Sequence, residues 1–347
     1  MVETMDEKQI EQIKKENTKK RMKFGYIFAL LCAVFWGAWY VPDYVAVGLA
    51  PFSDLFEGAS KTWSSAESIE QAMFITGINA IFVVLVLLFW CAGLGKIKEL
   101  GRSLKDVKHC TKYYMGGAIC GGPLAILGTY IALIFGSAGF SAVSALCYPV
   151  LGMTLSVVWL KQKMSHRAIV GLFVILAGGI TCYLDGLMNG GIEPLGYVGG
   201  LMAIFGWGIE GAVAAKGLDA SEPDVALTSR FIMESVIWWI IAIPILSLCG
   251  VDFFHNIGAL FDPMTFFIVL MMGLTFGLCY VTWYKSFPLI GVGRGQAIGS
   301  LYGLMAIVFL WLFTGEASIY YVVGAIICII GTFLMFTEKT DDLGSLR

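Results

Sequence analysis

Ten apolar runs, each about as long as a membrane-crossing helix, take up most of the chain. They lie at roughly 24–50, 71–94, 113–135, 140–160, 168–188, 195–215, 228–250, 264–287, 292–314 and 318–337. A helix rises about 1.5 Å per residue and needs about 20 residues to cross ~30 Å of hydrocarbon, so every run is a candidate span. Only 14% of the residues are charged, and they gather between the runs instead of recurring at helical spacing. That distribution excludes a soluble domain and predicts an all-α integral membrane protein with ten transmembrane helices.

The polar segments give an orientation. Residues 1–23 hold Lys14, Lys15, Lys19, Lys20, Arg21 and Lys23 and read as a cytoplasmic arm, amphipathic or disordered, at the membrane surface. The connection 95–112 carries Lys96, Lys98, Arg102, Lys105, Lys108 and Lys112, whereas 51–70 carries Lys61 alone among several acids. Basic loops stay on the cytoplasmic side, so both termini, including the tail 338–347, are expected in the cytoplasm and 51–70 forms an outer loop. The expected location is the cytoplasmic membrane, crossed many times. The first apolar run is too long for the core of a secretory signal and is expected to be retained.

Cofactor chemistry finds no foothold. Cys32, Cys91, Cys120, Cys147, Cys182, Cys249, Cys279 and Cys328 lie in or beside apolar runs without metal-type spacing, and read as small buried hydrophobes. His109, His166 and His255 fall in different loops. No metal, cofactor or nucleic-acid partner is expected; the lipid bilayer and a small solute are. Whether the chain forms a homodimer stays open.

An internal repeat shapes the architecture. FGYIFALLCAVFWG at 24–37 matches LGYVGGLMAIFGWG at 195–208, so Gly25, Tyr26, Leu30, Trp36 and Gly37 correspond to Gly196, Tyr197, Leu201, Trp207 and Gly208. AVSAL at 142–146 echoes AIGSL at 297–301, and Gly178 and Gly331 sit in corresponding later helices. Two five-helix repeats, 24–188 and 195–337, follow. An odd helix number per repeat inverts the second against the first, the plan of secondary transporters with a midplane site. Trp36 and Trp207 each lie 12 residues into their runs, about 18 Å deep from opposite faces, and so near the midplane.

Glu210, inside an apolar run, costs about 2.5 to 3.5 kcal/mol on insertion scales and calls for a cavity, partner or substrate. Trp207 lies one turn before it on the same face. On the first helix Trp36, Tyr40 and Asp43 share a face with Trp39 beside them; Trp39 and Tyr40 also suit an interfacial belt, and Asp43 a solvated helix end. Tyr148 precedes Pro149 in the fourth run, where a bend could form a cavity wall or a simple packing kink. Trp283, Tyr280 and Tyr302 are further candidate walls, beside a Gly291, Gly295, Gly299, Gly303 face that reads as helix packing. Lys285 is expected to snorkel, and Glu234 to pair with Arg230 one turn away.

Aromatic faces and a carboxylate suit a quaternary ammonium group, which cannot donate hydrogen bonds; each desolvated cation–π contact is worth about 2 kcal/mol. The competing reading makes Glu210 a proton-coupling or structural residue.

The ten-run pattern with FWG at 35–37 resembles the drug/metabolite transporter superfamily, in its EamA-like ten-helix form. CYPVLGMTLSVVWLKQKMS at 147–165 and WGIE at 207–210 resemble its bacterial choline permeases. The resemblance implies an alternating-access transporter of choline or a related cation, not an enzyme. It carries a central-cavity role to Trp36, Tyr148, Trp207 and Glu210, with Glu210 as counter-charge; Tyr40, Trp283 and Tyr302, from their places in the runs, complete the expected substrate site. The alternative on the same scaffold is an exporter of amino acids or other metabolites and drugs.

Overall fold

The computed structural model describes residues 7–47, 49–51, 65–136, 138–184, 188, 191–248, 257–315 and 319–338. Thirteen helices run through them. The first half of the chain contains α1 (Glu7–Val47), α2 (Ser65–Gly93), α3 (Ile97–Lys105), α4 (Lys108–Ile134), α5 (Ala138–Leu146), α6 (Tyr148–Val158) and α7 (His166–Cys182). The second contains α8 (Pro194–Gly217), α9 (Pro223–Leu248), α10 (Pro263–Ile290), α11 (Val292–Gly299), α12 (Tyr302–Thr314) and α13 (Ile319–Phe336).

Local chemistry sets the ends. Pro194, Pro223 and Pro263 open their helices, where a missing N–H costs nothing. Asp262 accepts from the N–H groups of Met264 and Thr265 at 3.1 and 3.2 Å, and Ser165 from Ala168 at 3.2 Å, satisfying first-turn donors. Gly315 ends α12 at φ 77°, a left-handed conformation that a Cβ would oppose.

The fold is all-α and multi-spanning, with eight helices among the described residues long and apolar enough to cross a membrane. These correspond to eight of the ten expected runs; the fifth and tenth are the shorter apolar helices His166–Cys182 and Val322–Phe336. Two spans break in mid-course. The fourth stops at Leu146 and resumes at Tyr148, and the ninth stops at Gly299 and resumes at Tyr302, within two residues of each other in the frame of the AVSAL and AIGSL motifs. Residues 7–23 of the basic arm are helical and continuous with the first span. Of the outer loop, 65–70 belong to α2, while 52–64 lie outside the described residues, as do Asp185, Cys249, His255 and the tail beyond Glu338.

The packing is the same when the two regions are exchanged. α1 lies along α10 and α12, as α8 lies along α4 and α6; α2 meets α10, as α9 meets α4; α7 packs on α13 and α6 on α11. The matched glycines make these approaches. A Cβ on Gly25 would stand 2.4 Å from Ile290 at the end of α10, and one on Gly196 2.7 Å from the Phe135 carbonyl just past α4. A Cβ on Gly37 would strike Met305 of α12, and one on Gly208 would strike Leu151 of α6. Side-chain-free contact lets lipid-embedded helices gain dispersion energy where no hydrophobic driving force exists between them.

Ion pairs tie the end of the bundle that carries the basic connection. Lys96 Nζ reaches Asp224 at 2.6 Å and Glu222 at 2.7 Å, and Lys285 Nζ reaches Asp224 at 2.9 Å. Lys285, expected to snorkel, is partly exposed and gives its ammonium to Asp224, with the Trp90 ring 5.3 Å away. Arg294, buried at the start of α11, forks onto Glu338 with bonds of 2.6 and 2.5 Å and donates to the Lys163 carbonyl at 3.0 Å. Burial raises the Glu338 carboxyl, but the Arg294 hydrogen bonds and charge outweigh it and hold the group below the usual carboxylate range. A lowered folded-state value means that this stability is present above the unfolded-state value and is lost as pH falls through the folded one. Glu338→Gln is expected to lower stability at neutral pH by about 3–5 kcal/mol, because Arg294 is stranded. The shift in thermal midpoint in detergent checks this, and wild type and variant should converge once acid protonates Glu338.

Candidate functional site

A cavity of about 210 Å³ opens in the half of the bundle away from the ion-paired end. Trp36, Trp39, Tyr40 and Asp43 of α1 form one wall, with Thr129 and Tyr130 of α4, Ser141 of α5, Trp207 of α8 and Phe276 of α10 around them. Helical spacing explains the α1 wall, since positions 36, 40 and 43 recur on one face. Trp36 and Trp207 meet edge to face at 5.1 Å between ring centroids. The rings are held from behind: Tyr302 stacks on Trp36 at 4.1 Å and 13°, and lies parallel to Tyr40 at 6.2 Å. A stacked partner fixes the ring plane that a ligand would meet.

Not every sequence-derived candidate reaches the cavity. Trp36, Tyr40 and Trp207 line it. Tyr302 and Tyr148 lie behind Trp36, and the Tyr148 hydroxyl donates to the Gln296 carbonyl at 3.3 Å. Trp283 is further back, packed on Tyr148, Tyr280 and Phe287. Glu210 is not in the wall. Asp43, whose position near a helix end suggested solvation, is half-buried and is the carboxylate that lines the cavity. Two lining residues also carry polar atoms without a hydrogen-bond partner, the Trp39 Nε1 and the Tyr130 hydroxyl.

Glu210 already has a cation. Arg230 of α9 places Nε 2.8 Å from Glu210 Oε1, both side chains fully buried, although that N–H is not aligned as a hydrogen bond. Arg230 also pairs with Glu234 one turn along α9, as the sequence suggested. Tyr280 donates to Glu210 Oε2 at 3.2 Å and Tyr284 to Oε1 at 3.4 Å. Trp207 Nε1 in turn donates to the Tyr280 hydroxyl at 3.1 Å, which links the cavity wall to the charged triad. The triad is roofed by α4, which is π-helical over Cys120–Ile126 around Pro123. A Cβ on Gly121 would overlap Arg230 Nη2, and one on Gly122 would stand 2.6 Å from Glu234 Cδ.

The Glu210–Arg230 contact is the feature that sequence spacing did not supply, because it joins two helices. The signals present were an arginine inside an apolar run and the paired glycines at 121–122. Gln296 is a similar case: its Nε2 donates to the Trp207 carbonyl at 2.9 Å, bracing the break in the ninth span against α8. Among the described residues no cluster of histidine, cysteine or acidic side chains could hold a metal ion.

Comparison with known proteins bears on the fold. Among curated proteins none matches the chain. The model of the EamA-like transporter family matches residues 60–183, roughly a third of the chain. A solved structure described only as a crystal structure of a protein superimposes with a TM-score of 0.64 at 14% identity, covering 90% of this chain and 95% of the other. The chain thus has a multi-pass membrane fold that is EamA-like over residues 60–183 and similar over nearly its whole length to that solved structure.

Proposed function

We propose that the chain is a secondary transporter that moves a small organic cation of the quaternary ammonium class, choline among them, by alternating access. The observation that carries this is the cavity itself, a ring of Trp36, Trp39, Tyr40, Trp207 and Phe276 with the single carboxylate Asp43. Ring faces attract a cation that has no hydrogen to donate, and a carboxylate in a half-buried setting adds attraction that water screens only in part. The unpartnered Trp39 and Tyr130 groups suit a solute with a hydroxyl at its other end.

Ten spans as two inverted five-helix repeats accommodate this reading. The exchange-invariant packing, the matched glycines and the paired breaks in the fourth and ninth spans support that plan, and broken spans in corresponding positions mark substrate sites in such transporters. Ion pairs on the basic side and a cavity toward the other side are the arrangement of one end-state of alternating access. With the basic connection in the cytoplasm, as the charge bias favours, the cavity belongs to the outer half of a cytoplasmic membrane.

The test is a counterflow screen in proteoliposomes with choline, betaine, ethanolamine, tetramethylammonium and neutral amino acids. Choline and tetramethylammonium are expected to exchange, and neutral amino acids are not. Flux of amino acids without cations would instead establish the exporter reading.

A further inference from the structure

The Glu210–Arg230–Glu234 triad sets two carboxylates against one guanidinium, all fully buried, and is packed too closely for a solute. We propose that it is a proton site, with Glu234 carrying the exchangeable proton, and that the Trp207–Tyr280–Glu210 line couples its protonation to occupancy of the cavity. This rests on the transport reading above. One proton leaves as one cation enters, so the buried charge stays constant.

Charge balance comes first. With both carboxylates ionised the triad is one negative charge in excess, and no other charged side chain among the described residues pairs with them. The neighbouring elements do not correct this. α10 presents Tyr280 and Tyr284, α4 presents Cys120 and two glycines, α9 presents Trp238, and α2 has no charged residue between 71 and 95. An uncompensated charge at this depth is far more costly than a protonated acid.

Hydrogen bonding then assigns the proton. Glu210 has the Arg230 charge beside it and two tyrosine hydroxyls donating to it, which stabilise a carboxylate there. Glu234 has Arg230 on Oε2 and, besides it, only the Trp238 indole as a donor. At Gly121 and Gly122 there is no room even for a methyl group between α4 and the triad. An empty cavity therefore favours protonated Glu234, and a cation against Trp207 favours the net negative triad.

Proteoliposomes with radiolabelled choline and an imposed pH gradient test the proposal. For one-to-one exchange, a gradient of one pH unit should hold about a tenfold choline gradient in wild type. Glu234→Gln, which fixes the triad neutral, should lose that accumulation and keep choline counterflow. Tenfold accumulation by Glu234→Gln overturns the proposal. A pH dye trapped in wild-type vesicles gives a reading that no variant's folding affects: choline flux should move one proton per cation the other way, and flux without proton movement also overturns it. Absence of choline counterflow in wild type would overturn the transport reading, and the coupling with it.

Discussion

Replacing Arg230 with methionine is expected to cost the protein about 3–5 kcal/mol or more, enough to prevent recovery of folded protein from the membrane. The arginine is fully buried between Glu210 and Glu234, so its removal leaves the Glu210 charge without its cation and beside a second buried carboxyl. The Arg230 guanidinium also lies over the Phe231 ring at 4.0 Å, a contact that methionine replaces only in part. The loss should be reversed in the triple variant Arg230→Met, Glu210→Gln, Glu234→Gln, since removing all the buried charge removes the desolvation penalty along with the attraction. Detergent-extracted yield and thermal midpoint are the measurements. A well-folded single variant would show that the triad is solvated and its ion pairs unimportant.

Much of the helical plan was legible because lipid imposes a simple rule on the sequence. Each long run is apolar over the length that hydrocarbon demands, and the breaks at Cys147 and Ser300 fall at the two short motifs that echo each other. The match of Trp36 with Trp207 pairs two rings that touch and line one cavity. The charges were less legible. Glu234 with Arg230 is a pair within one helix and follows from spacing, whereas Glu210 with Arg230 depends on how α8 crosses α9. Asp43 suits a solvated helix end by its position, yet residues of α4 and α5 line the same cavity beside it. Tyr148, Trp283 and Tyr302 share an apolar setting with the lining rings, and only the tertiary packing separates a ring that faces the cavity from one behind it.

Asp43→Asn is the other change with a large expected effect. It keeps the size of the side chain and removes the one carboxylate in the cavity wall. Taking a cation at about 5 Å in an effective dielectric near 20, the carboxylate contributes on the order of 3 kcal/mol, which corresponds to roughly a hundredfold in affinity. The surrounding rings remain, so binding of an uncharged ligand of the same shape should be untouched.

The most direct test compares choline with 3,3-dimethylbutanol, its isostere with carbon in place of nitrogen, by tryptophan-fluorescence titration of purified protein. Wild type should prefer choline by at least a hundredfold, and Asp43→Asn should narrow that preference by roughly a hundredfold, to what the rings alone supply. Equal affinities in wild type, or a preference that Asp43→Asn leaves undiminished and Glu210→Gln removes, would contradict a cation site built on Asp43.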